Sequence, residues 1–190
     1  MIKPLYLFVG KSASGKTTLS EKLEAQYGLK TIHSYTTRPP RYENETGHIF
    51  ITDVEFDQLN NIIAYTEYNG HRYCCTKQQL DESSIYVVDV PGVATLLKNY
   101  TTERVINIIY FDTSVRTRIS RMIDRHDSDM AIVSRLYNDE EFNWEDRLIE
   151  LVQNSTQQNV DLYAIDANQD IDAVLKPIIN LINEQLEDYT

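Results

Sequence analysis

Basic residues are in short supply. Lys and Arg number 18 against 29 Asp and Glu, a formal net charge of −11. That balance excludes a broad nucleic-acid or membrane-binding face, which needs a basic footprint. An anionic ligand must instead be held by local clusters of Arg, Lys and backbone N–H groups. Long hydrophobic runs are also missing. None approaches the ~20 residues of a membrane-crossing helix, and the apolar stretch near the N-terminus is too short for a secretory leader. A cytoplasmic protein without a membrane or nucleic-acid partner is therefore expected. Cysteine is nearly absent: Cys74 and Cys75 are the two present. They are adjacent, lack the spacing of a zinc site, and could pair only in a strained vicinal disulfide, so they read as free thiols in a reducing compartment. No internal repeat, low-complexity tract or domain linker stands out. The 190 residues, 42% hydrophobic and 25% charged, suit one domain with a real core.

What the chain does have is concentrated near its start. Leu5 to Val9 is an apolar run with the character of a buried parallel strand. It ends at Gly10, and Gly10-Lys11-Ser12-Ala13-Ser14-Gly15-Lys16-Thr17 fits G-x-x-x-x-G-K-[ST] at every fixed position. The glycines let the backbone curl so that successive N–H groups face phosphate oxygens. The following helix, which contains Thr18, adds its positive N-terminal end. Lys16 is expected to reach the β/γ-phosphates, and the Thr17 hydroxyl to ligate Mg²⁺. This pattern predicts a triphosphate site.

Strands then alternate with helices. A helix is expected from Thr17 to Tyr27 with Gly28 as its C-cap, then a strand over Leu29 to Tyr35. The stretch 36–80 looks like a small β-rich insertion, with strands at 49–52, 62–68 and 72–75, a short helix capped by Asp53, and a hairpin turn at Asn69-Gly70. Further strands are expected over 85–89, 104–111 and 160–165. Helices are expected over 93–99, from Thr113, as one long element from about 129 to 157, and over 171–186. This order predicts an α/β fold: a parallel sheet covered on both faces, three layers in all. The acidic run Asp139 to Glu141 reads as a solvated helix face, and Phe142 and Trp144 as packing residues. His33, His71 and His126 show no triad or metal spacing. His71 and Arg72 flank the hairpin within reach of a ligand.

A second anion site is legible in Ser34-Tyr35-Thr36-Thr37-Arg38-Pro39-Pro40-Arg41. Two arginines three residues apart on a proline-stiffened loop suit a phosphate, which guanidinium groups hold with paired hydrogen bonds. A phosphate pocket beside a triphosphate pocket is what transfer to a small phosphorylated acceptor requires. Asp89, at the end of a strand expected beside the phosphate loop, reads as a carboxylate acting on Mg²⁺ through water. A GTPase-type switch would carry N-K-x-D, which is missing, and would leave Arg38 and Arg41 unexplained.

The 34–41 segment resembles the acceptor-binding signature of guanylate kinases, and the resemblance runs over nearly the whole chain. It implies a P-loop nucleoside monophosphate kinase fold: a CORE (1–35 and 81–190), an acceptor-binding region (36–80) and a helical LID (116–135). It implies ATP and a nucleoside monophosphate as substrates, GMP or dGMP first, with Mg²⁺, in a monomer or homo-oligomer. By the same resemblance Arg38, Arg41 and Tyr73 hold the acceptor phosphate, with Ser34 close to the acceptor nucleotide. Arg121, Arg125 and Arg135 bridge the ATP phosphates, Asp89-Val90-Pro91-Gly92 matches a D-x-x-G, and Asn168 stands near adenine. Four positions depart from the family pattern. Ala64 replaces a guanine-contacting glutamate, Cys75 a small hydroxyl residue, His48 a phosphate-binding tyrosine and Val87 an aspartate. Glu67, three residues from Ala64, should point to the opposite face of its strand. Other acceptors, such as another (d)NMP or a ribose bisphosphate, remain open. A non-catalytic module of the same fold also remains, although it would have no reason to keep a phosphate loop.

Overall fold

The computed structural model describes residues 3–140 and 143–187. Glu141 and Phe142 lie outside the described residues. Four strands, β6 (Ile85–Val87), β1 (Leu5–Val9), β7 (Ile106–Asp112) and β8 (Val160–Asp166), form one sheet in that order, with every pairing parallel. β1 is buried along its whole length, and its alternate residues feed two separate cores. Leu5, Leu7 and Val9 pack with α4 (Val90–Asn99) and α7 (Trp144–Gln153) through Val93, Leu96 and Leu148. Tyr6 and Phe8 pack on the other side with α1 (Lys16–Tyr27) and α8 (Ile171–Glu187) through Leu19, Leu23, Val174 and Ile178. This is the expected three-layer α/β architecture. It follows from the period-2 alternation of a strand buried on both faces.

A second sheet has the order β3 (His48–Phe50), β2 (Ser34–Thr36), β5 (His71–Thr76), β4 (Ile62–Tyr68). β2 pairs with β3 in parallel and with β5 antiparallel, and the β4–β5 hairpin turns at Asn69 and Gly70, both at positive φ. Short helices α2 (Asp53–Asp57) and α3 (Lys77–Glu82) flank it. Each opens with a reciprocal capping box, Thr52 with Glu55 and Thr76 with Gln79. The remaining elements are α5 (Val115–Asp124) and α6 (Asp129–Glu140).

Several boundaries differ from expectation, each for a local reason. The strand expected over Leu29 to Tyr35 shrinks to Ser34–Thr36. The chain meets the core sheet in an isolated bridge of Thr31 with Ile85 and not in a strand, then crosses to the second sheet. β2 therefore belongs with the insertion and begins before residue 36. Thr52, not Asp53, caps α2, and Ser114, not Thr113, caps α5. α4 starts at Val90 rather than Val93, because Asp89 accepts the Gly92 N–H and Pro91 fits a first turn that needs no N–H from it. The single long helix expected from 129 is two helices, with Asn143 in the N-cap position of the second. Among the described residues, no helix is long and apolar enough to cross a membrane. Both cysteines are free thiols buried in the fold.

Candidate active site

The phosphate loop joins β1 to α1 through two left-handed residues, Ala13 at φ 61° and Gly15 at φ 98°. Gly10 is needed for close approach, since a Cβ there would stand 2.9 Å from Ser14 Oγ and 3.0 Å from the Phe111 carbonyl. Lys16 folds back over the loop and donates to the carbonyls of Gly10 (2.5 Å) and Lys11 (2.9 Å) and to Ser14 Oγ (3.1 Å). Burial lowers its pKa to about 8, against the attraction of Asp139 and Asp89. Its three donors thus rest on exchangeable partners in a position to meet a polyphosphate.

Gly10, Ser12 and Lys16 form one wall of a cleft of about 840 Å³. The second sheet supplies Ser34, His48, Thr66 and Tyr73, and the loop before it Arg41. The strand end at β6 supplies Tyr86 to Pro91, and the α6–α7 region Arg135, Asp139, Trp144 and Arg147. Asp89 caps α4 through the Gly92 N–H at 2.8 Å and takes a hydrogen bond from Thr66. Burial raises its pKa above the ordinary carboxylate value, with Gly92, Thr66 and the Lys16 charge opposing. Arg41 is shifted below the usual guanidinium range by burial and then by the charges of Arg38 and Arg135. Arg41 and Arg135 thus line one cleft and feel each other's charge.

The remaining expected acceptor residues separate into two groups. Ser34 Oγ meets His48 Nδ1 at 2.9 Å, and the His48 ring stands edge-on to Tyr73. Burial and the neighbouring Arg38 lower the His48 pKa to about 4, so the imidazole is neutral at pH 7. Arg38, by contrast, does not itself line the cleft but stands behind Tyr73 and His48, hydrogen-bonded to Tyr73. It forms a buried fork-to-fork pair with Glu45 (2.8 and 3.1 Å) and lies over the Phe50 ring. Cys75 also does not reach the cleft. It is fully buried opposite Ala64, and its thiol meets the Tyr86 hydroxyl, which lines the cleft in its place. The β-bulge falls between Ile62 and Ala64, leaving Ala64 and Glu67 on opposite faces of the strand; Glu67 nevertheless borders the cleft, and its carboxylate accepts from the Tyr65 hydroxyl. Arg72 is held by Asp53 and Asp57 over the Phe56 ring and is not poised for a ligand.

Arg121, Arg125 and Arg135 behave differently from one another. Arg135 lines the cleft, with Nε 3.5 Å from Asp127. Arg125 pairs with the same Asp127 at the surface. Arg121 lies beneath the phosphate loop and donates to the carbonyls of Ser14 (3.2 Å) and Ala167 (2.8 Å). It therefore supports the loop from outside and is not among the residues that line the cleft. Asn168 organises the start of α5, where its Oδ1 accepts from the Ser114 N–H and the Thr117 hydroxyl. Thr17 and Thr18 are exposed at the start of α1. Asp139 is buried against the loop, not on a solvated face: it accepts the Ser12 N–H at 2.8 Å and forms a buried ion pair with Arg118. Trp144 packs against the core and borders the cleft as well. Sequence reasoning missed Tyr86, Thr66, Asp139 and Arg147. For Asp139 a signal existed, because it follows Arg135 by four residues and so shares its helical face.

No protein-family model matches the chain. The guanylate kinase of Fusobacterium nucleatum is 27% identical over 147 residues, which cover 70% of this chain and 78% of that protein. Over most of its length this chain is similar to guanylate kinases. Guanylate kinases of Neisseria gonorrhoeae and Neisseria meningitidis serogroup B match at 37% identity over 67 residues, about a third of each protein. Among solved structures, the guanylate kinase from Anaplasma phagocytophilum aligns with a TM-score of 0.56 at 17% identity, over 97% of this chain and 86% of that one. The guanylate kinase likeness thus extends over the α/β core and the second sheet together.

Proposed function

We propose that the chain is a guanylate-kinase-like nucleoside monophosphate kinase that transfers the ATP γ-phosphoryl to the phosphate of GMP or dGMP, yielding ADP and the diphosphate. One observation carries this reading: Lys16, Arg41 and Arg135 face a single cleft from the phosphate loop, the acceptor loop and the LID. A site for one nucleotide needs the first of these; a site for two phosphorylated substrates needs all three. The chain divides accordingly into CORE, acceptor-binding region and LID.

Lys16 would exchange its loop carbonyls for β/γ oxygens, while the loop N–H groups hold the β-phosphate. Arg41 and Tyr73 would aim the acceptor phosphate, and Arg135 would follow the charge as it moves between donor and acceptor. An acceptor phosphate oxygen attacks the γ-phosphorus, the new P–O bond forms in line, and the bond to the ADP oxygen breaks. The nucleophile is already an anion, so no general base is required; catalysis is positioning and electrostatics. Closure of the LID over the cleft would exclude water, which would otherwise compete as acceptor. Among the described residues no three carboxylate, histidine or cysteine groups cluster as a metal site. Thr17 and Asp89 with phosphate oxygens nevertheless fit Mg²⁺, which takes few protein ligands and keeps its waters. When bound, the ion would neutralise charge on the polyphosphate.

A second reading is favoured by one feature: Ala64 of β4 is buried and brings no polar group, and Glu67, the β4 carboxylate at the cleft, already accepts a hydrogen bond from the Tyr65 hydroxyl. A site that reads a base by buried polar pairs loses orders of magnitude when one is missing, so a different (d)NMP or a ribose bisphosphate is the alternative acceptor. Purified protein with Mg·ATP and a panel of NMPs, dNMPs and ribose bisphosphates, followed by ADP release, decides. GMP and dGMP leading supports the first reading, and another acceptor leading supports the second. No turnover with any acceptor overturns both.

A further inference from the structure

Ser12 of the phosphate loop is gripped on both sides of its peptide by residues outside the loop. Asp139 on α6 accepts its N–H (2.8 Å, Oδ2) and its hydroxyl (3.3 Å, Oδ1). Arg118 on α5 donates from Nε to its carbonyl (2.9 Å). Asp139 and Arg118 are themselves an ion pair, with side chains 5% and 0% exposed. Arg135 precedes Asp139 by one helical turn on the same face of α6 and lines the cleft. Asn138, beside Asp139, donates to the Tyr68 hydroxyl (3.2 Å) and to Asn69 Oδ1 (3.1 Å) at the tip of the β4–β5 hairpin. α6 is thus fastened to the donor side by one residue and to the acceptor side by the next.

We propose that Asp139 is a positioning residue for phosphoryl transfer, pinning α6 to the phosphate loop so that Arg135 is delivered to the transferred phosphate. This rests on the kinase reading above. A competing idea is that Asp139 is a phosphate mimic which ATP expels. Two observations oppose it. Lys16, the group a phosphate mimic would take, bonds loop oxygens instead. And Arg118 is wholly enclosed, with Nη1 already buried and unpartnered among the described residues. A departing Asp139 would strand that charge, which is strongly unfavourable. The pair is built to stay closed.

The test is a double-mutant cycle of Asp139→Asn and Arg135→Ala in the full chain, read as kcat and KM for ATP and acceptor. Asp139→Asn keeps the shape and removes the charge. A small displacement of a reacting group can cost on the order of 10²-fold, so kcat should fall between about 10- and 100-fold with both KM values within about threefold. In the Arg135→Ala background the same change should alter kcat less than about twofold, because residues acting through one another are non-additive. Unchanged kcat, additive losses, or tighter ATP binding in Asp139→Asn would each overturn the proposal. Should the single variant fail to fold, Arg118→Met/Asp139→Leu fills the same space with apolar groups, and wild-type kcat in that pair also overturns it. Hydrogen exchange at the Ser12 amide reads the clasp without turnover, and exchange that is no faster in Asp139→Asn refutes it. Wild-type protein that uses no acceptor while the Ser12 amide is released by Asp139→Asn instead removes the kinase reading and leaves the clasp in place.

Discussion

Lys16 shows how burial and function oppose each other in one side chain. Its ammonium is held at a pKa of about 8 where an exposed lysine titrates near 10.5. Bound phosphate favours the charged form, so ATP binding takes up a proton above the free-state pKa. Affinity for ATP should therefore be flat below pH 8 and fall about tenfold per pH unit above it, a dependence that titration of fluorescent ATP across pH 6–10 would show and Lys16→Ala would lose. Without nucleotide, the linkage has a defined sign: between pH 8 and 10.5 the unfolded lysine holds a proton the folded one has shed, so this group's contribution to stability rises with pH there. Arg41 is the acceptor-loop arginine that lines the cleft, because Arg38 is committed to Glu45. Arg41→Ala should raise the acceptor KM by about 10- to 100-fold, the loss of one charge-assisted contact, and leave the ATP KM within about threefold in steady-state assays. Lys16, Ser34, Arg41 and Tyr73 were legible as residue types in a motif. Cys75 was not legible as a core residue, because only packing against Tyr86 shows which way its thiol points.

At the scale of elements, chain punctuation explains most agreements and most shifts. Gly28 ends α1 in the left-handed region, and Asn69-Gly70 makes the hairpin, both readable because these residues tolerate positive φ. Capping was less readable, since Thr52-Asp53 and Thr113-Ser114 each offer two candidate caps and only the backbone geometry chooses. Thr76→Ala removes the reciprocal cap of α3 and should cost about 1 kcal/mol, a fall of roughly 2–4 °C in Tm for a chain of this size. Gly92→Ala should cost more. Its Cβ would lie 2.5 Å from Val88 Cγ2 and 2.9 Å from Asp89 Oδ1. Overpacking of that kind costs about 1–3 kcal/mol, and here it would also disturb the Asp89 carboxylate. Thermal unfolding of the two variants gives the ranking, and equal Tm values would refute it.

For the whole molecule, two sheets meet at a cleft, and α6 is fastened to both sides through Asn138 and Asp139. Ligands that bind only this folded arrangement must stabilise it. Mg·ATP at 100 times its Kd adds about 2.7 kcal/mol, a rise on the order of 5–10 °C in Tm. A scanning-calorimetry trace unmoved by Mg·ATP but raised by a peptide would point to a binding module of the same fold. On the proposed two-substrate reading, addition of acceptor with a non-hydrolysable ATP analogue should raise Tm further, because each ligand that binds only the folded state adds its own stabilisation.

Local sequence determined the three-layer α/β class, the strand–loop–helix around Gly10 to Thr17 and the likeness to guanylate kinases. The physical reason is that each is encoded within a short window: a strand's period of two, a glycine's freedom at positive φ, the fixed spacing of Lys16 and Thr17. Tertiary structure alone decided which charged groups face the cleft. Arg38 turned to Glu45, Arg121 to the loop carbonyls and Arg72 to α2, while Asp139 left its acidic run to pair with Arg118, 21 residues earlier in the chain. A buried guanidinium or carboxylate takes the partner that best offsets its desolvation. Which partner that is depends on elements brought together from distant parts of the chain, and no local pattern in the sequence contains it.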